Sequence, residues 1–153
     1  MGLFDILKKP EQPVQQTQTP MATVLIADDE KELLDFYQDL FTRQGYQAIT
    51  ATNGQEALTL IRQQHPNVIL LDVMMPVVDG IEVLKQLSED EFLKKIPVIV
   101  LTNVGNMDTL DQLKIYSVYK FYIKANVAPE DLIQSVRDAV TQFQATAPTP
   151  TSA

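Results

Sequence analysis

The chain has 153 residues, 45% of them apolar and 21% charged, with a net charge of −8 and no cysteine. That is enough for one domain with a core and hardly enough for two, and it excludes disulfide and thiolate chemistry. The negative excess disfavours direct contact with nucleic acid, and no apolar run approaches the roughly 20 residues that span a bilayer. Residues 3–7 are too short, and lack a small-residue cleavage site, for a signal peptide, so the expected compartment is the cytoplasm.

Residues 1–20 read as an N-terminal extension. Within it, residues 10–20 carry three prolines, one charge and a single large apolar side chain, which reads as a flexible linker. The domain is expected over 21–144, followed by a disordered tail over 145–153. Within the domain, strand and helix patterns alternate. Val24 to Ala27 is a strand, and Leu33, Leu34, Tyr37, Leu40 and Phe41 have helical spacing up to a stop at Gly45. A strand over 46–50 precedes a helix capped by Asn53 and closed by Pro66. The strand over 68–71 has no polar alternation, as expected when helices cover both faces. A third helix runs from Gly80 to about Ser88, and Pro97 opens the fourth strand. A helix around 107–115, a strand over 121–123 and a last helix opened by Pro129 complete five βα units. Such a succession implies an α/β fold, a doubly wound parallel sheet with helices on both faces.

Four of these apolar runs end on residues that handle phosphate and metal: Asp28-Asp29, Asp72, Thr102 and Lys124. The carboxyl ends of parallel strands share one edge of the sheet, so the fold gathers these side chains from distant parts of the chain. Two carboxylates about 4 Å apart repel by roughly 4 kcal/mol at an effective dielectric of 20. The cluster must therefore protonate, spread or hold a cation. Hard oxygen donors with room for water suit Mg²⁺, and the adjacent lysine and hydroxyl suit phosphoryl oxygens. Asp72, on the central strand, is the candidate nucleophile.

The sequence Val24-Leu25-Ile26-Ala27-Asp28-Asp29-Glu30, the block Asp72-Val73-Met74-Met75-Pro76-Val77-Val78-Asp79-Gly80, then Leu101-Thr102 and Lys124, resemble the receiver domain of bacterial two-component response regulators. The resemblance covers about residues 22–144. It implies a flavodoxin-like, five-stranded sheet of order 2-1-3-4-5 with five helices. It further implies that Asp72 accepts a phosphoryl group from a histidine kinase or phosphotransfer protein. Mg²⁺ would lie on Asp28, Asp29, Asp72 and the backbone carbonyl of Met74, with Asp28 acting through water. Lys124 would pair with phosphoryl oxygens, while Thr102 and Phe121 would carry the switch to a downstream protein target.

Several positions depart from that family. Ala125 stands where a proline, often joined by a cis bond, follows the lysine, so a trans bond and a shifted loop are expected. Asn103 replaces a small residue and could crowd the phosphoryl site. Ser117-Val118 replaces a Gly-Ala pair suited to a left-handed turn. Phe121 lacks a tyrosine's hydroxyl. Plainer structural roles also fit some of these residues. Asp28-Asp29 could merely cap a helix, Asp79-Gly80 reads as turn chemistry, and His65 has no second His or Cys with which to bind metal. Residues 2–9 are either an unstructured apolar start or one amphipathic turn that docks on a partner or an anionic membrane; the myristoylation motif fails at Ile6.

The expectation is a stand-alone receiver, not an enzyme with turnover, that signals by protein–protein interaction. One alternative is a pseudo-receiver scaffold that works without phosphorylation, favoured by Ala125 and Asn103. The other is an aspartate-dependent phosphohydrolase, opposed by Met74, which stands where such enzymes carry a second aspartate.

Overall fold

The structure, a computed structural model, describes residues 20–103 and 106–146. Residues 1–9, read as either an unstructured start or a docking turn, nearly all of the linker and the tail from 147 lie outside the described residues. The elements alternate throughout: β1 (Thr23–Ala27), α1 (Lys31–Arg43), β2 (Gln47–Ala51), α2 (Gly54–Gln64), β3 (Val68–Leu71), α3 (Gly80–Ser88), β4 (Val98–Thr102), α4 (Met107–Leu113), β5 (Lys120–Ile123) and α5 (Pro129–Thr146). All strand pairs are parallel, in the order β2-β1-β3-β4-β5, as the family resemblance implied.

The period-two geometry of the strands splits the core in two. Leu25, Ile69, Leu71 and Val100 face α2, α3 and α4, while Val24, Ile26, Leu70 and Ile99 face α1 and α5. The central strands β3 and β4 are buried at every position, which is why they read as uninterrupted apolar runs. Asn53 and Asp79 cap their helices through their side chains, each accepting a backbone N–H bond at 2.9 Å.

The differences from expectation are local. β2 starts one residue late because the Tyr46 amide donates to Phe41 at the end of α1, and it gains Ala51 by pairing with Ala27. α4 stops at Leu113, and the chain then makes a tight turn in which Val118 N–H donates to Tyr116 C=O. Ser117, at the centre of that turn, keeps a negative φ, so the loss of glycine there costs no left-handed strain. α5 runs through Thr146, two residues past the expected domain end.

Strain collects instead in the loop after β3. Gly80 lies so close beneath it that a Cβ there would sit 2.4 Å from the Asp72 carbonyl oxygen. From the other side Gly54 donates to Val78 C=O, and a Cβ on Gly54 would approach that oxygen to 2.1 Å. Between these clamps Val77 is forced to φ 68°, and Val78 N–H bonds back to Pro76 C=O. A β-branched residue at positive φ is an outlier, and γ-turns of this hand are rare and strained. Val77 is 83% exposed, so its side chain buries little to offset that strain. Val77→Gly is therefore expected to stabilise the fold by about 1 kcal/mol, since strain relief exceeds glycine's extra unfolded-state entropy. Urea unfolding at unchanged m-value checks this; a lower midpoint would show the loop to be relaxed.

Candidate functional site

The sheet's own hydrogen-bond ladder places the site. Asp28 N–H donates to Ala51 C=O of β2, Asp72 N–H to Ala27 C=O of β1, and Lys124 N–H to Thr102 C=O of β4, at 3.1, 2.9 and 3.1 Å. Each residue is thus pinned one step past the end of its strand, and all three side chains project over the same edge. Ligand oxygens of Asp28, Asp29 and Asp72 lie within 4.8 Å of one another, with Asp28 and Asp72 buried and Asp29 exposed.

Lys124 fills the space between the two buried acids. Its ammonium lies 2.5 Å from Asp28 Oδ2, 2.9 Å from Asp72 Oδ2 and 3.7 Å from Glu30 Oε1, and its side chain is 6% exposed. The remaining oxygens are also engaged. Asp28 Oδ1 accepts Glu30 N–H at 2.9 Å, and Asp72 Oδ1 accepts Met74 N–H at 3.1 Å. The helix-cap reading of Asp28-Asp29 fails here, because α1 begins at Lys31 with Glu30 in the cap position and no side-chain cap bond. Thr102 is fully buried at the end of β4, beside β5. Phe121 is half-buried against the core and lines a groove beneath α4, facing Leu110 and Leu113. Met74 turns its side chain to solvent while its amide holds Asp72.

The two departures near the lysine meet each other. Ala125 keeps the N–H that a proline would lack and donates it to Asn103 Oδ1 at 3.2 Å. Asn103 is exposed, and its side-chain oxygen is committed to the lysine loop. All peptide bonds among the described residues are trans, as expected at Ala125.

Two participants went unassigned in the sequence. Glu30, which the motif marks without a role of its own, joins the carboxylates around Lys124. Tyr37, read as core, borders the same small void as Asp28 and Asp72, and burial raises its phenol above the ordinary tyrosine range. No spacing rule marks either residue; the position of Glu30 directly after a strand-end acid pair was the available hint.

Burial raises the Asp28 carboxyl above its usual value, against the pull of Lys124 and the Glu30 amide. Burial acts on Lys124 in the opposite sense, but its hydrogen bonds to Asp28 and Asp72 outweigh it and hold the ammonium above the ordinary lysine value. Asp28, Glu30 and Asp72 face this one ammonium and Asp29 stands beside two of them, so an excess of negative charge remains for a divalent cation to offset. The donor set, all oxygen with one exposed carboxylate, fits Mg²⁺.

The family model for the response regulator receiver domain matches residues 24–137. The chain belongs to the response regulator receiver family. Polar-differentiation response regulator DivK of Brucella ovis is 42% identical over 80 residues, 52% of this chain and 65% of that protein, so the match spans just under two thirds of its length. Sporulation initiation phosphotransferase F of Bacillus subtilis is 32% identical over 120 residues, 78% of this chain and 91% of that protein. Among solved structures, the receiver domain of Francisella response regulator 1452 superimposes with a TM-score of 0.71 at 31% identity, covering 79% of this chain and 98% of that one. Vibrio cholerae chemotaxis protein CheY4 also gives 0.71, at 28% identity, covering 78% and 98%. These relatives are signalling receivers, and this receiver's acidic cluster accords with Mg²⁺ binding. Among its described residues no helix is long and apolar enough to cross a membrane.

Removing the ammonium leaves two buried carboxylates unpaired, so Lys124→Met should lose about 3 kcal/mol of stability at pH 7. The sign follows from linkage. With its folded pKa raised, Asp28 opposes folding when ionised, and that cost disappears as pH falls through its folded value and the acid protonates. Lys124's contribution is complete below its ordinary value of 10.5 and fades as pH rises through its higher folded one. The deficit of Lys124→Met should therefore shrink between pH 7 and pH 4, measured by urea unfolding; a deficit independent of pH would count against this charge balance.

Proposed function

We propose that this receiver accepts a phosphoryl group on Asp72 from a phosphohistidine of a histidine kinase or phosphotransfer protein, in the cytoplasm, and signals by protein–protein contact. The observation that carries the reading is the Asp72 carboxylate at the end of the central strand, paired with Lys124 and flanked by Asp28 and Asp29. In the transfer, an Asp72 oxygen forms the new P–O bond as the P–N bond breaks, and the histidine nitrogen keeps the electron pair. Phosphoryl transfer asks little of a protein beyond position and charge neutralisation. The amide of Met74 fixes one Asp72 oxygen, and Lys124 balances charge at the other.

Asp29 and Asp72, with the Met74 carbonyl and Asp28 through water, would hold Mg²⁺. The ion supplies charge neutralisation at the phosphoryl oxygens when bound. Lys124 must loosen its hold on Asp28 and Asp72 for those oxygens to serve a cation or a phosphoryl group. Thr102 and Phe121, both on the β4–β5 side, would pass that rearrangement to the groove beneath α4. A change of this kind biases an existing equilibrium by a few kcal/mol. We assign no turnover on small phosphoesters, because Met74 offers no general acid two residues after Asp72. The Asn103–Ala125 contact favours a second reading, a scaffold whose binding ignores phosphorylation.

Asp72→Asn should abolish labelling by a phosphorylated kinase, scored by intact-protein mass spectrometry. A labelled Asn variant would place the acceptor elsewhere, and partner binding unchanged by this substitution would favour the scaffold. Asp29→Ala should raise the Mg²⁺ concentration needed for labelling by roughly tenfold or more, and an unaltered requirement would remove Asp29 from the metal site.

A further inference from the structure

The edge of the sheet opposite Asp72 carries a groove that the phosphoryl chemistry does not use. It lies where α3 and α4 end and β4 and β5 begin. Leu84, Leu87, Leu93, Ile96 and Ile115 line it, and its volume is about 480 Å³, within the range of sites that receive ligands or side chains. Ile115 is 77% exposed, and Phe92, next to the lining residue Leu93, is 80% exposed. Beside the groove runs Glu89-Asp90-Glu91. Asp90 is occupied by the amides of Phe92 and Leu93, and Glu91 pairs with Lys94 at 2.8 Å. Glu89 is exposed and has no ion pair among the described residues.

We propose that residues 2–9 of this same chain occupy the groove. Leu3, Phe4, Ile6 and Leu7 stand at offsets of three and four, which places them on one face of a helical turn, and Lys8-Lys9 follow directly. The apolar face matches the groove's walls, and the two lysines that follow it meet the exposed Glu89. Attachment also favours this occupant. The described chain begins at Pro20, just before β1, and the first residues of β1 lie on the same sheet edge as the groove. From β1 across β3 to β4 is two strand spacings, about 10 Å. The ten residues 10–19 reach from roughly 17 Å for a flexible chain to about 31 Å for a fully extended proline-containing one, so that span lies within their length. A linker of this length sets an effective concentration on the order of millimolar, so even a weak apolar contact stays populated. The inference is independent of the phosphoryl site and stands whether or not Asp72 is the acceptor.

The absence of native cysteine allows a single nitroxide to be placed by Gly2→Cys in the full chain. Amides of Leu87, Ile96 and Ser117 should lose intensity by roughly twofold or more, while those near Asp28 and Asp72 do not. Phe4→Asp should restore the groove signals, and so should Ile115→Asp, an exposed site whose change leaves the core intact. Glu89→Lys should weaken the effect. The broadening should persist on dilution. Uniform or absent broadening would overturn the proposal. Broadening that fades on dilution, or that passes from a labelled to an unlabelled chain in a mixture, would make a second copy the occupant and also overturn it.

Discussion

Lys124 bridging Asp28 and Asp72 is the interaction on which this molecule's working edge depends. Parallel strands place their carboxyl ends together, and two of those ends here carry three carboxylates, Asp28 and Asp29 after β1 and Asp72 after β3. Without a counter-charge, burying Asp28 and Asp72 would oppose closure of the sheet edge. The ammonium at 2.5 and 2.9 Å ties the ends of β1, β3 and β5 together. Under the proposed function this is the contact that a cation or a phosphoryl group would compete with, and displacing the ammonium would disturb the β5 end.

The loop between β3 and α3 shows what such an arrangement requires of the backbone. Asp72 must be held while its chain turns at once into a helix. Gly54 and Gly80 give the room, each lying where a single Cβ would strike a carbonyl oxygen. Val77 takes the resulting strain at φ 68°. The stability lost there is exchanged for a carboxylate whose two oxygens already have partners, the Met74 amide and Lys124. The lysine loop follows a related logic. Ala125 supplies an amide where the family's proline has none, and Asn103 accepts it, so two unrelated-looking departures form one contact.

The opposite edge is chemically plainer, with exposed apolar side chains, an acidic run and a groove. Sheet topology separates the two edges by the length of the strands. Events at Asp72 and contacts at the α3–α4 end are therefore joined through α3, which starts beneath Asp72 and ends at the groove, and through the packed core that includes Leu84, Val98 and Val100. An occupant of the groove would press on the same layer that supports Phe121.

The alternation of strands and helices, the burial of β3 and β4, the cap at Asn53, and which acids stand at strand ends can all be read from the chain alone. These are local or periodic properties, legible because side-chain direction repeats every two or 3.6 residues. Tertiary structure decided the rest, since distances between strands are written in no window of the chain. Lys124 between Asp28 and Asp72, Glu30 and Tyr37 at the same site, and the Asn103–Ala125 bond all join residues that only the sheet order brings side by side. The strain at Val77 has the same origin: it arises because α2 and α3 press on the loop from two sides, which no local pattern records.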